Sequence, residues 1–401
     1  MKFSKKIVAL VVICLLVLST FVPAFAMEKE NNVNLQFDKN GKFKILILSD
    51  IQDRDKMQKD TYDLFISALD TTKPDFVVLL GDNIGGWWKN VNEDKVRTAI
   101  DNVAKPINER KIPFALVFGN HDHESGTSRE MQMKMFQEYE YCLAVDGADV
   151  SGCGNYNLLI KDSDGDKDIF NLWFFDSHSQ AEEENGDYGY VKPDQVEWYQ
   201  NESSKLTQEN GGKPIPAFAF QHIVVPEVYQ LFDEAPKGTK GAIKGHGKRS
   251  DKYYIHSDKV VSGKLREGPC CSNIENNEFS AWKEQGDVIG AFFGHDHIND
   301  YSGKVDNILL TNTLGVTFYS YGNTHGVRTV ELDENDLMNF TTKSIHFDEL
   351  VNHKPMNFYV KNHGYYEYTH VFLPAIIGTA AGVALVSAGA VLIGKILKKK
   401  Q

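Results

Sequence analysis

An α/β layered fold is predicted for this 401-residue chain. Apolar runs at Phe43–Leu48, Phe76–Leu80, Phe114–Phe118, Ala217–Phe220 and Val288–Phe293 read as buried strands. Helical patterns at about 57–70, 91–110 and 128–142 alternate with the first three of them. Pro74 and Pro113 stand just before strands, where they stop the preceding helix. Each run also ends in a short polar motif. In order these are Asp50-Ile51-Gln52, Gly81-Asp82-Asn83, Gly119-Asn120-His121-Asp122, Gln221-His222 and Gly294-His295-Asp296-His297. Side chains at strand ends of an α/β sheet converge on one edge, where such folds build their sites.

The remaining elements follow in chain order. Residues 1–26 read as a signal peptide, with basic Lys2, Lys5 and Lys6, an apolar Ile7–Val22 and a small-x-small Ala24-Phe25-Ala26 cleavage site. Cys14 follows Ile13, where lipidation would need a small residue. Residues 27–42 read as a mobile leader and 43–340 as the folded domain. Asn155–Lys161 and Ile169–Phe175 form a β-hairpin around Asp162–Asp166, an acidic turn whose glycine is misplaced for an EF-hand. Residues 233–270, rich in Gly, Lys and Ser, read as a long loop of the kind that serves as a lid. Residues 341–370 read as a stalk. Val371–Gly394 is uncharged, mostly apolar and long enough to cross a bilayer. Lys395, Lys398, Lys399 and Lys400 follow in a basic tail (395–401) that marks the cytoplasmic side. The expected arrangement is an extracellular domain on a single-pass C-terminal anchor in the cell membrane.

Charge supports this division. The chain is −12 overall, and its two terminal segments, 1–26 and 371–401, carry +3 and +4, leaving −19 between them. Such acidity argues against nucleic acid as the main partner. Four cysteines follow the signal segment: Cys142, Cys153, Cys270 and Cys271. A Cys142–Cys153 disulfide is plausible in an exported protein, with free buried thiols the alternative. None has zinc-finger spacing.

The motif side chains are Asp, Asn, Gln and His, with no Cys. This donor set suits hard or borderline divalent metals, and seven candidate ligands exceed what one tetrahedral ion takes. The simplest reading is a two-metal hydrolytic centre. Asp82 is the natural bridging anion, Asp50 and Asn120 are oxygen ligands, and His222, His295 and His297 supply imidazoles. A turn beginning at Gly294 would let two histidines two residues apart face adjacent metals.

On these motifs the chain resembles the calcineurin-like metallophosphoesterases over residues 43–335. Gly81–Ile84, Gln221–Glu227, Gly189–Tyr199 and Gly294–Tyr301 resemble its purple-acid-phosphatase-like branch. The resemblance implies a four-layer α/β/β/α sandwich and two divalent ions (Mn, Fe, Zn or Mg). It implies Asp50, Gln52 and His297 on the first metal, Asn120, His222 and His295 on the second, and Asp82 between them. His121 would stand by the leaving group as general acid, oriented by Asp122. The implied activity is phosphoric ester hydrolysis by metal-activated hydroxide, most simply of phosphomonoesters on small molecules or proteins. The alternatives are a phosphodiesterase on nucleotides or phospholipid head groups, and a non-catalytic surface binding module. Two departures stand out. Gln52 replaces the usual His and favours Mn²⁺, Mg²⁺ or Ca²⁺ over Zn²⁺, or else acts as a hydrogen bonder behind the metals. Gly85 replaces the Tyr of purple enzymes, so no iron–tyrosinate colour is expected. Further residues near the motifs are His123, His178, Trp87, Trp88, Lys244 and His246, each with an ordinary structural role as its alternative.

Overall fold

The computed structural model describes residues 33–86, 90–355 and 358–377. The expected signal peptide, the Trp87–Trp88 pair and most of the expected membrane span lie outside them. Among the described residues no helix is long and apolar enough to cross a membrane.

The chain runs β1 (Leu35–Gln36), β2 (Lys42–Leu48), α1 (Lys59–Thr72), β3 (Phe76–Leu80), α2 (Glu93–Glu109), β4 (Phe114–Val117), α3 (Arg129–Gln137), β5 (Tyr156–Lys161) and β6 (Asp168–Phe174). It continues α4 (Pro193–Glu209), β7 (Ala217–Phe220), β8 (Phe232–Ala235), β9 (Ile243–Lys244), β10 (Tyr253–His256), β11 (Val260–Ser262), α5 (Glu278–Gln285) and β12 (Val288–Phe293). It closes with β13 (Ser302–Val305), β14 (Ile308–Asn312), β15 (Gly326–Asp333), β16 (Thr341–His346), α6 (Phe347–Leu350) and α7 (Phe358–Glu367).

Two main sheets form. One has the order β16-β15-β2-β3-β4 and the other β1-β5-β6-β7-β12-β14-β13-β11. In the first, β2, β3 and β4 are parallel. In the second, β6, β7, β12 and β14 are parallel. Strand alternation shows how the sheets stack. Phe218, Phe220 and Phe292 join the core cluster that holds Ile45 and Val77 of the other sheet. Their neighbours Ala217, Ala219 and Phe293 face Val196 and Tyr199 of α4 and Trp282 of α5. Residues of α1 and α2, such as Phe65 and Ile100, close the opposite side. The result is helices, sheet, sheet, helices, the four-layer arrangement.

Asp287, just before β12, ties the outer layer down. It accepts hydrogen bonds from Trp173 Nε1 (3.0 Å), Tyr199 O–H (2.5 Å) and Ser203 O–H (2.9 Å). All four side chains are buried. Asp287→Ala should strand three donors and cost about 3 kcal/mol or more of unfolding free energy in a denaturant titration.

Several expectations are corrected. The leader is not wholly mobile: Leu35 and Phe37 are buried, and β1 pairs with β5. The helix predicted to 142 ends at Gln137, because the following chain runs beside β4, with Phe114 N–H donating to the Tyr141 carbonyl and Leu143 N–H to that of Phe114. Residues 233–270 are not a structureless loop. They form an antiparallel sheet ordered β8-β10-β9, and β11 then joins the edge of the large sheet. The expected stalk begins with β16, which pairs along β15 and carries the chain to the buried Phe347. Cys142, Cys153, Cys270 and Cys271 are all free thiols. The Asp162–Asp166 segment is, as expected, a hairpin turn, with Asp162 Oδ1 accepting from the Asp166 and Lys167 N–H groups.

Candidate metal centre

Each motif begins where a parallel strand ends. Asp50 and Gln52 follow β2, Asp82 follows β3, Asn120 and His121 follow β4, His222 follows β7, and His295 and His297 follow β12. Both sheets therefore deliver side chains to one place. Four of these residues hold left-handed backbone conformations: Asp50 (φ 50°), Gln52 (39°), Asp82 (48°) and His295 (69°). Such backbone costs roughly 1–3 kcal/mol per non-glycine residue and gathers at functional sites. The turn at Gly294-His295 thus bends at His295. Gly294 is needed for space instead, since a Cβ there would sit 2.0 Å from Ser49 Oγ and 3.0 Å from Asp50 Oδ2. Likewise a Cβ on Gly119 would sit 2.1 Å from Asp82 Oδ1.

The side chains converge. His222 Nε2 lies 3.2 Å from Asp82 Oδ2 and 3.8 Å from Asp50 Oδ1. His297 Nε2 lies 3.3 Å from Asp50 Oδ1. Gln52 Nε2 is 3.3 Å from Asp82 Oδ2. The His222 and His295 rings are 5.3 Å apart. Asp82 Oδ1 accepts from the His121 N–H at 2.8 Å, which ties the Asn120-His121 turn to the same carboxylate. Asp50, Asp82 and His222 bring three ligand atoms within 4.8 Å of one another.

The chemistry of these atoms fits metal ions. Asp50 Oδ1, Gln52 Oε1, Asn120 Oδ1, His222 Nε2 and His295 Nε2 are all buried and make no hydrogen bond. Leaving that many polar atoms unsatisfied is costly unless a cation takes them. Outer contacts fix two of the rings. His222 Nδ1–H donates to the Leu80 carbonyl and His297 Nδ1–H to that of Tyr321, both at 2.9 Å. Each Nε2 is thereby turned inward, as in metal-binding histidines. Tyr321 also stacks on His297 at 4.3 Å, and Tyr188 meets His295 edge-on at 4.3 Å.

Charge in the cluster is mutually compensating. Burial opposes charge on Asp82 and Asp50, yet the adjacent imidazoles hold both carboxyls below the usual range. Burial likewise opposes charge on His222 and His297. The Asp82 and Asp50 carboxylates raise the first to about 10, and Asp50 raises the second to about 9. His295, buried beside His222, is pushed down to about 3. Protons and metal ions thus compete for the same lone pairs.

The contact that orients His121 is not the expected one. Asp122 turns inward and staples the loop, accepting from the N–H groups of Gly119 (2.7 Å), Asn83 (2.8 Å) and Ile84 (3.1 Å). Burial raises its carboxyl to about 7. Glu124 instead meets His121 Nδ1 at 2.8 Å. Sequence spacing could have flagged it, because a 3-10 turn over Asp122–Ser125 brings i and i+3 together. Burial disfavours charge on His121, but Asp82 and then Glu124 raise it above the ordinary histidine value. If protonated His121 is the active form, rate falls as pH rises through its pKa. Glu124→Gln should move that alkaline limb to lower pH. It should lower turnover about tenfold, a small part of the ~10²–10⁴ that a positioned proton donor contributes.

Other singled-out residues line a cleft of about 710 Å³ beside Asn120 and His121, with Arg129, His178, Ser179 and Tyr188 in its wall. His178 is held by Gln195 at 2.9 Å, and His123 by Ser179 at 3.1 Å. His246 pairs with Asp187 at 2.8 Å, and Lys244 is exposed in β9. Sequence reasoning passed over Arg129. Its guanidinium joins Asp176 (3.0 Å), the Gly119 carbonyl and Ser179 (both 2.7 Å), anchoring the Asn120-His121 turn.

The sequence pattern of the calcineurin-like phosphoesterases matches residues 43–299, more than half of the chain. The chain belongs to that family. Relatives include a protein of Arabidopsis thaliana named probable inactive purple acid phosphatase 14, 29% identical over 364 residues, covering 82% of this chain and 83% of the plant protein. Phosphatase DCR2 of Saccharomyces cerevisiae is 27% identical over 299 residues, 68% of this chain and 47% of the yeast protein. Among solved structures, a dimetal phosphatase from Danio rerio is similar at a TM-score of 0.49 and 16% identity, covering 76% of this chain and 96% of that one.

Proposed function

We propose that this calcineurin-like phosphoesterase is an active metal-dependent hydrolase of phosphomonoesters. The supporting observation is the set of five buried candidate ligand atoms that make no hydrogen bond, with His121 at the rim where the cleft opens. Asp50, Gln52 and His297 would hold one divalent ion and Asn120, His222 and His295 the other, with Asp82 shared. When bound, such ions supply a nucleophile at neutral pH and neutralise phosphoryl oxygens. The chain's own residues do the rest. Leu80 and Tyr321 carbonyls orient two imidazoles. Protonated His121, backed by Glu124, donates to the departing alkoxide oxygen. Arg129 and Asp122 hold the turn that carries His121. The signal-like N-terminus and the apolar, Lys-flanked C-terminus support an extracellular domain on a membrane anchor. Protease shaving of intact cells tests that placement and should release the domain.

Mono- and diester readings separate by comparing kcat/KM for p-nitrophenyl phosphate and bis-p-nitrophenyl phosphate; preference for the diester would overturn the monoesterase. Gln52 and the name of the plant relative favour a second reading, a binding module that retains metals without turnover.

A further inference from the structure

A second polar cavity, of about 400 Å³, lies beside Asp300, shortly after the His295–His297 turn that follows β12. It is lined by Lys264, Arg266, Asp300, Arg328, Lys343 and His346, with the hydroxyls of Ser262, Thr342 and Ser344 between them. Four of these side chains are permanent cations and one is an anion, in a chain whose net charge is −12. Asp300 is already engaged, with Arg266 at 2.6 Å and His346 at 3.3 Å. Lys343 has a surface partner in Glu349 at 3.2 Å.

Arg328 is the decisive group. It is 1% exposed. Its Nη atoms donate only to neutral oxygens: the Thr342 and Ser344 hydroxyls at 3.1 and 2.8 Å, and the Asp300 and Asn312 carbonyls at 2.9 and 3.1 Å. Nε is buried and makes no hydrogen bond. No ion pair to it forms among the described residues. Burial accordingly pulls the guanidinium down to about 10. The Asp300 carboxylate offsets part of that burial without pairing directly with Arg328. A buried guanidinium with no direct ion pair is expensive, and its unpartnered Nε–H suits an oxyanion. We propose that this cavity is a binding site for a compact oxyanion of the phosphate class, separate from the metal centre and held by Arg328, Lys264 and Lys343. The cavity exceeds one such ion, so the phosphoryl group is either free or terminal on a larger molecule.

The test is calorimetric titration of the full chain with inorganic phosphate, and separately with methyl phosphate, at constant ionic strength in chloride. Metals are chelated beforehand, so that the carboxylate-rich centre does not compete for the anion. A saturable event is expected, weakened at least tenfold in Lys264→Ala/Lys343→Ala and in Arg328→Gln. The lysines are exposed and their double variant should fold, which keeps the test valid if Arg328→Gln does not. Equal or tighter binding of methyl phosphate identifies a terminal phosphoryl group as ligand; binding of inorganic phosphate alone identifies the free ion. Heat no greater than for chloride, or unchanged affinity in the double-lysine variant, would overturn the proposal.

Discussion

Asp82→Ala is expected to lower turnover by about 10³–10⁴-fold and to release metal from both halves of the centre. The magnitude follows from the several kcal/mol of charge stabilisation that bound cations supply, at one decade per 1.36 kcal/mol. The dual loss follows from position. Asp82 touches Gln52, assigned to one ion, and His222, assigned to the other, and it also holds the His121 backbone N–H. Removing Asn120 or His297 should instead weaken one ion more than its neighbour. Metal content after equilibrium dialysis against Mn²⁺ separates these outcomes. Retention of two ions by Asp82→Ala would contradict the bridging role.

His121→Ala should lower kcat by about 10²–10⁴-fold while both ions remain bound. The loss should shrink as the leaving group becomes more acidic, because a good leaving group needs no proton. Alkyl and aryl phosphates compared in the same variant measure this. An equal loss for both would assign His121 to binding rather than proton donation. The Glu124 contact makes a further distinction: Glu124→Gln should shift the alkaline limb, whereas His121→Ala should remove it.

The candidate ligand positions stand out in the sequence for a physical reason. Five buried strands must be nearly all apolar, so the first polar residues after each one stand out, and parallel strands end on one edge. Strands Phe76–Leu80, Ala217–Phe220 and Val288–Phe293 were legible to the residue on that basis. What stayed hidden was weakly patterned. β8 and β10 bury only Phe232 and Tyr254 fully, so periodicity had little to register. β1 spans two residues, too few for any periodicity, and is defined by its pairing with β5. β16 carries polar residues at most positions, and its place is set by pairing with β15. At His121 the i, i+3 spacing to Glu124 was readable, but not which carboxylate turns away: the 3-10 turn sends Asp122 inward and Glu124 back to the ring. The buried charge of Arg328 left no motif at all, because its partners come from distant segments.

Metal-dependent turnover tests the central claim most directly. The full chain would be stripped of metal and assayed on p-nitrophenyl phosphate with Mn²⁺, Zn²⁺, Mg²⁺ or Fe²⁺ restored, beside Asp82→Ala and His121→Ala. The account predicts turnover that appears only with metal and is lost in both variants. Folded protein that binds two ions yet turns over no ester with any metal would contradict it and leave the binding module.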